Sequence, residues 1–183
     1  GDSLNLTESD VARWLADYNK AVSVWDPPSA LSRLNRGETL APSLILSDLL
    51  RMTEGIRVAT DSLVEPALEP VLRAWGFTAG TQLIPSSRGA QRDSVIVDSL
   101  MALVQWTAPE VTPDGTRLTH PINVNAFAQG HSVDLVLDSL RARGATAAFV
   151  EIGGEVRSFG LKPDGDAFKV GIEKPLTSGD RSL

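Results

Sequence analysis

The stretch INVNAFAQGHSVDLVLDSLRARGATAAFVEIGG, residues 122–154, decides the fold. Read left to right it predicts a strand (INVNAF), a turn carrying one glycine, and a helix (HSVDLVLDSLRAR). Gly144 follows as the residue closing that helix, and a second strand (TAAFVEIGG) comes next. The apolar pattern changes period from strand to helix and back, as in α/β or α+β domains. The turn AFAQGHSVD, Ala126 to Asp134, admits two readings. It is either the entrance of an ordinary helix, or a loop whose free N–H groups and helix dipole hold an anion. His131 reads as a partly exposed polar residue or as a catalytic imidazole, and Asp134 as a dipole-favourable acid or a ligand.

Downstream, EVRSFG and FKVGIEK predict two more strands joined by the turn KPDGD. Upstream, Thr7 and Asp10 suit a helix start, and Val11, Trp14, Leu15 and Tyr18 recur at helical spacing, predicting a helix over about residues 8–22. WDPPSALSRLNRGE breaks it, because its prolines forbid continuation. A second helix is predicted through SLILSDLLRMTEGIRVATDSL. LVEPALEPVLRAWGF predicts a loop and a short helix ending at Gly76. TAGTQLIPSSRGAQRDS reads as a polar surface excursion, SVIVDSLMALVQW begins as a helix, and TPDGTRL is a hairpin signal. The fold class expected is α/β (α+β), a mixed sheet packed with helices, in one domain.

Composition sets limits. A chain of 183 residues with 42% hydrophobic and 22% charged residues suits one globular domain. The formal net charge of −6 argues against a broad nucleic-acid surface. It also means that any phosphate ligand would need backbone N–H groups, a helix start or a metal. With no cysteine, disulfides, thiolate zinc sites and a cysteine nucleophile are excluded. No apolar run approaches the ~20 residues of a membrane span. The opening GDSLNLTESD is neither a signal nor a transit peptide and reads as the cut edge of a longer polypeptide.

Three short segments invite chemistry, and each has an ordinary structural reading beside it. The paired glycines of EIGGE permit close approach of a flat ligand, or a tight bend between strands. Trp25 sits on a proline-bounded loop, where it stacks on a ring system or anchors the loop in the core. Glu65 and Glu69 are spaced as in some metal sites and as on many solvated faces. There is no P-loop, no G-x-G-x-x-G and no H-x-x-x-H, and no Ser/His/Asp order has local support.

Taken in order, the segments resemble the ApbE-type FAD:protein FMN transferases. SVWDPPSALSRLN (Ser23–Asn35) is similar to the family's S-x-[YW]-x-x-x-S-x-[LI]-x-x-x-N loop. EPALEPVLRAWGF (Glu65–Phe77) is similar to its acid-Pro segment ending in W-G-F, with Glu where Asp is usual. NVNAFAQGHSVD (Asn123–Asp134) fits its D-[LV]-x-x-[IV]-A-K-G-[YW]-x-x-D turn, GGE its G-G-[DE], and FKVGIEKP its following strand. The resemblance covers roughly residues 11–175.

It implies an enzyme that transfers FMN from FAD to a threonine hydroxyl of a target flavoprotein, releasing AMP and depending on magnesium at the pyrophosphate. It implies an FAD site at Trp25, Leu63, Val64, Glu65, Gln129 and Leu135, with the Ser132 backbone carbonyl as a metal ligand. It implies a periplasmic or cell-envelope setting as well, with membrane contact only through a lipid anchor outside this chain. The departures are Gln129 for a charged residue, Asn123 for Asp and His131 for an aromatic. The family's C-terminal A-D-x-x-x-T metal motif is not in the sequence, so residues 1–183 are expected to be an incomplete domain. On that expectation the transferase belongs to the parent protein, and this chain is weak or inactive. FAD pyrophosphatase activity and a non-catalytic flavin-binding or interaction module are the alternatives.

Overall fold

The computed structural model describes residues 6–41, 43–78 and 90–172. Helix α1 spans Glu8–Val22, the predicted range. It starts at Thr7, whose main-chain N–H and hydroxyl both donate to the Asp10 carboxylate, at 3.0 and 2.8 Å. That reciprocal cap satisfies groups a helix start otherwise leaves open. The proline-rich break that follows is shorter than its sequence suggests, because Ser29 caps a six-residue helix, α2 (Ala30–Asn35). Helix α3 (Leu44–Ala59) is capped by Ser43. A 3-10 turn (Pro66–Leu68) runs directly into α4 (Glu69–Ala74), each with a proline in its first turn, where a missing N–H costs nothing.

Helix α5 covers Ala90–Met101, so the end of the segment read as a polar excursion is helical. Residues 79–89 of that segment lie outside the described residues. The predicted hairpin is present as β1 (Glu110–Thr112) and β2 (Gly115–Arg117), antiparallel around Pro113 and Asp114. Gly115 has φ +139°, and a Cβ there would lie 2.3 Å from the Leu40 carbonyl oxygen. Only glycine lets residue 40 bridge onto the hairpin, through Leu40–Thr116 hydrogen bonds of 2.9 and 2.7 Å.

The deciding stretch corrects its own reading. Helix α6 spans Asn125–Ala142, and INVNAF is not a strand. The residues read as a turn, Ala126 to Asp134, all lie inside that helix. The N-cap is Val124, and just before it Asn123 Oδ1 accepts the Asn125 N–H at 2.9 Å. Strands β3 (Ala148–Ile152) and β4 (Glu155–Phe159) form the expected antiparallel pair about Gly153 and Gly154. FKVGIEK is not a strand as far as it is described: through residue 172 it joins no ladder, with Val170 58% and Ile172 96% exposed. Its alternating pattern meets no partner strand among the described residues, and residues 173–174 lie outside them.

The class is therefore mixed α and β, and among the described residues the strands make two antiparallel ribbons. Helix α6 stands between two apolar clusters. On one side α1, α2, α3 and the approach to α6 bury Leu31, Leu34, Leu49, Ile122 and Val124 almost completely. On the other, α6 packs on β3, β4 and α1 through Val133, Val136, Leu137 and Val150. Each such side chain contributes about 1.5–3 kcal/mol on leaving water.

Candidate functional site

Three serines build the loop that carries Trp25. The Ser23 carbonyl accepts the Ser29 hydroxyl, and the Ser32 hydroxyl at 2.9 Å. The Ser23 hydroxyl accepts the N–H groups of Trp25 and Asp26, both at 3.2 Å. The loop is thus closed on itself and needs no core anchor from its tryptophan, which is 56% exposed. Asn35 ends the same motif and bonds both main-chain groups of Ile122, donating to its carbonyl at 2.8 Å and accepting its N–H at 2.9 Å. That pair ties α2 to the entry of α6. The regularly spaced Ser, Ser and Asn of SVWDPPSALSRLN are scaffolding, and Trp25 is what they present.

A second segment faces Trp25. After α3 the chain turns back through Asp61 (φ 49°) and Ser62 (φ 61°), two consecutive non-glycine residues in the left-handed region. Such conformations cost about 1–3 kcal/mol each and persist only where surrounding bonds enforce them. Here the Ser62 N–H donates to the Arg57 carbonyl at 2.8 Å, the Arg57 side chain to the Ser62 hydroxyl at 2.9 Å, and the Val64 N–H to the Thr60 hydroxyl at 3.2 Å. The turn leaves Leu63 89% exposed and Val64 and Glu65 half-buried. Glu65 caps the 3-10 turn, accepting the Ala67 N–H at 2.9 Å.

Trp25, Leu63, Val64 and Glu65 line one open cavity of about 510 Å³. Pro66, Leu68, Leu72, Phe77, Asn123, Asn125 and Ala126 complete it. The size is that of a small-molecule site, and the lining suits a flat ring system: aromatic and aliphatic walls with a few polar groups. No lysine or arginine is among the lining residues. The start of α6 contributes Asn125 and Ala126, so the positive end of its dipole borders the cavity. The anion-favouring helix start thus lies near Asn125, six residues before the expected His131.

The three expected residues farther along α6 do not line this cavity. The Gln129 amide donates to the Ile152 carbonyl at 2.6 Å and lies against Gly153, where a Cβ would come within 2.1 Å of Nε2. Its polar head holds the β3–β4 turn. Ser132 is buried within the helix and donates its hydroxyl to the Gln129 carbonyl at 2.6 Å. Leu135 packs between the two apolar clusters. Asp134 pairs with Arg157 of β4 at 2.8 Å. His131 meets the buried Tyr18, with Nδ1 at 3.1 Å from a phenol hydroxyl that donates to the Ala128 carbonyl at 2.8 Å. Burial holds the His131 imidazole below its ordinary pKa, against the opposing charges of Asp134 and Asp48, and burial pushes the Tyr18 phenol up.

Behind the cavity wall lies a group whose role the sequence did not show. Glu69 is 1% exposed, and its carboxylate accepts from Arg73, Thr78 and Asn123. Glu65 and Glu69 therefore serve separate bonds and form no joint metal site. Among the described residues no group of three or more histidines and acids could hold a metal ion. The signals that could have found the missed lining residues are modest. Phe77 closes the W-G-F ending, and Asn123 stands two residues before a helix N-terminus, where its side chain suits capping.

Comparison with known proteins agrees with this architecture. The ApbE family model matches residues 3–182. The FAD:protein FMN transferase of Haemophilus influenzae is 28% identical over 192 residues, covering 97% of this chain and 53% of that protein. Its Vibrio cholerae counterpart is 29% identical, with 95% and 52% covered. The solved structure of the flavin transferase ApbE from Vibrio cholerae superposes with a TM-score of 0.79 at 25% identity, over 96% of this chain and 57% of that one. The chain spans about half the length of the relatives it matches. With a family model matching nearly its whole length, over the same segments that build the cavity, this chain belongs to the ApbE family.

Proposed function

We propose that this chain forms the flavin-binding part of an FAD:protein FMN transferase. The observation that carries the proposal is the cavity: Trp25 from one segment and Leu63, Val64 and Glu65 from another face the start of α6 across it. In the proposed reaction a threonine hydroxyl oxygen of an acceptor flavoprotein attacks the phosphorus on the riboflavin side of FAD. A new P–O bond forms, the pyrophosphate bridge breaks with its electrons on AMP, and the hydroxyl proton passes to solvent. The part assigned to this chain is to bind and orient. Trp25 stacks on a ring, the aliphatic walls exclude water, and Asn123 and the first turn of α6 offer polar partners at the edge.

Magnesium dependence belongs to the proposal for the whole enzyme, where the ion would neutralise charge on the phosphate oxygens. Among the described residues no group of three or more histidines and acids could hold that ion. A periplasmic setting, with any lipid anchor outside these residues, is proposed with it on the family resemblance. The test is a titration of the chain with FAD followed by flavin fluorescence. Mass spectrometry of an acceptor incubated with the whole parent protein follows, in the presence of magnesium. Saturable quenching and an FMN adduct on a threonine are expected. AMP and free FMN without an adduct would mark a pyrophosphatase, and binding without turnover a non-catalytic flavin module. No binding at high FAD would refute the flavin site.

A further inference from the structure

We propose that Glu69 is a positioning residue of the cavity: its buried carboxylate fixes the orientation of the Asn123 amide and, through it, the first turn of α6. The ligand half of this proposal rests on the flavin-site reading, and the other half on geometry alone. A carboxylate withdrawn from water persists only where donors fill its lone pairs. Around Glu69 those donors are Arg73 Nη2 at 2.7 Å and Nε at 3.1 Å, Thr78 Oγ1 at 3.1 Å and Asn123 Nδ2 at 2.9 Å.

An ionised carboxylate only accepts, so Asn123 must turn its NH2 toward Glu69. Its Oδ1 is thereby directed at the main chain, where it accepts the Asn125 N–H at 2.9 Å. The Asn123 N–H in turn donates to the Pro66 carbonyl at 2.7 Å. Asn123, Asn125 and Pro66 all line the cavity, whereas Glu69 does not. Glu69 instead lines a smaller cavity of about 230 Å³, together with Arg36 and Arg73. One hidden carboxylate thus sets which atoms the ligand side of the wall presents.

The pair is matched in charge. An aspartate at 123 would bring a second carboxylate to hydrogen-bonding distance of the first, with Arg73 in contact and Arg36 across the small cavity as the neighbouring cations. Exchanging the two groups, Glu69→Gln with Asn123→Asp, restores one carboxylate and one amide.

The experiment compares wild type, Glu69→Gln, Asn123→Asp and the double exchange. It records circular dichroism, melting temperature from pH 8 to pH 5, and FAD affinity by flavin fluorescence. Relative to wild type, the melting temperature of Asn123→Asp is expected to rise as pH falls. The folded carboxylate pair retains a proton that the unfolded chain releases. The double exchange removes that inverse slope. Glu69→Gln, at a position that does not itself line the cavity, weakens FAD binding about tenfold while the far-ultraviolet spectrum stays that of wild type. The double exchange recovers affinity to within about threefold.

Wild-type FAD affinity in a folded Glu69→Gln protein, or an inverse slope surviving in the double exchange, would overturn the proposal. Should Glu69→Gln fail to fold, the double exchange decides. If wild type binds no FAD, the flavin-site reading falls and the pH comparison alone decides this one.

Discussion

Replacing Trp25 by alanine separates a ligand-facing role from a structural one. The side chain is 56% exposed and its loop is closed by Ser23, Ser29 and Ser32. Truncation should therefore change stability by no more than about 0.5 kcal/mol, as at ordinary surface positions. Binding is another matter. A tryptophan presents up to ~250 Å², so roughly 140 Å² of it is free, and a planar ligand covers about half of that. Some 70 Å² at ~25 cal/mol/Å² amounts to about 1.7 kcal/mol, or close to twentyfold in affinity. The assay is FAD titration of wild type and Trp25→Ala by flavin fluorescence, with urea unfolding of both as control. A change in affinity below about threefold, with both proteins folded, would refute the stacking role.

Other expectations concern the frame around the cavity. Leu137→Ala, at a fully buried position between α6 and β3, should cost about 2–5 kcal/mol in urea unfolding, and a loss under 1 kcal/mol would contradict the packing assigned to α6. Gly153→Ala should cost about 1–3 kcal/mol, because residue 153 has φ +58° and the new Cβ displaces Gln129 Nε2; pairing it with Gln129→Ala should recover part of the loss. Protonating His131 opposes folding, since burial lowers its folded pKa below the unfolded value. Its contribution is complete above pH ~6.5 and declines as pH falls below it, so His131→Phe should flatten the melting-temperature curve between pH 6.5 and 5, a flattening whose absence would sink the idea. Asp10 has a folded pKa lowered by the Thr7 hydrogen bonds, then by Arg143 and Arg13. Its contribution is present at neutral pH and disappears as pH falls through the carboxylate range, so Asp10→Asn should abolish that part of the acid slope in melting temperature.

What could be read from the sequence follows from which forces were local. Helix α1 was legible to its ends because Thr7 and Asp10 form a self-contained cap. The hairpin at 110–117 was legible because turn residues set it. The start of α6 was not, because Asn125 and Gly130 are poor helix formers, and the helix there is held by tertiary bonds: Asn123 to Glu69, Tyr18 to the Ala128 carbonyl and Gln129 to the Ile152 carbonyl. The six-residue α2 was hidden for a similar reason, being a serine-capped turn amid prolines. Within the site, Trp25, Leu63, Val64 and Glu65 came through family resemblance, and the structure brings them to one cavity. The spacing of Glu69 from Glu65 suggested a metal pair or a solvated face, and its burial was missed because a buried acid and a solvated one look alike in sequence.

The Asn35–Ile122 bonds join residues 87 positions apart. Closing a loop of that length costs about 4 kcal/mol of chain entropy before any contact across it is rewarded. The cavity walls come from before, within and after that closed loop, at residues 25, 63–77 and 123–126. During synthesis, then, no binding site exists until the first turn of α6 has emerged and Asn35 has found its partner. On the proposed function, flavin fluorescence becomes a clock for when these segments of the chain have met.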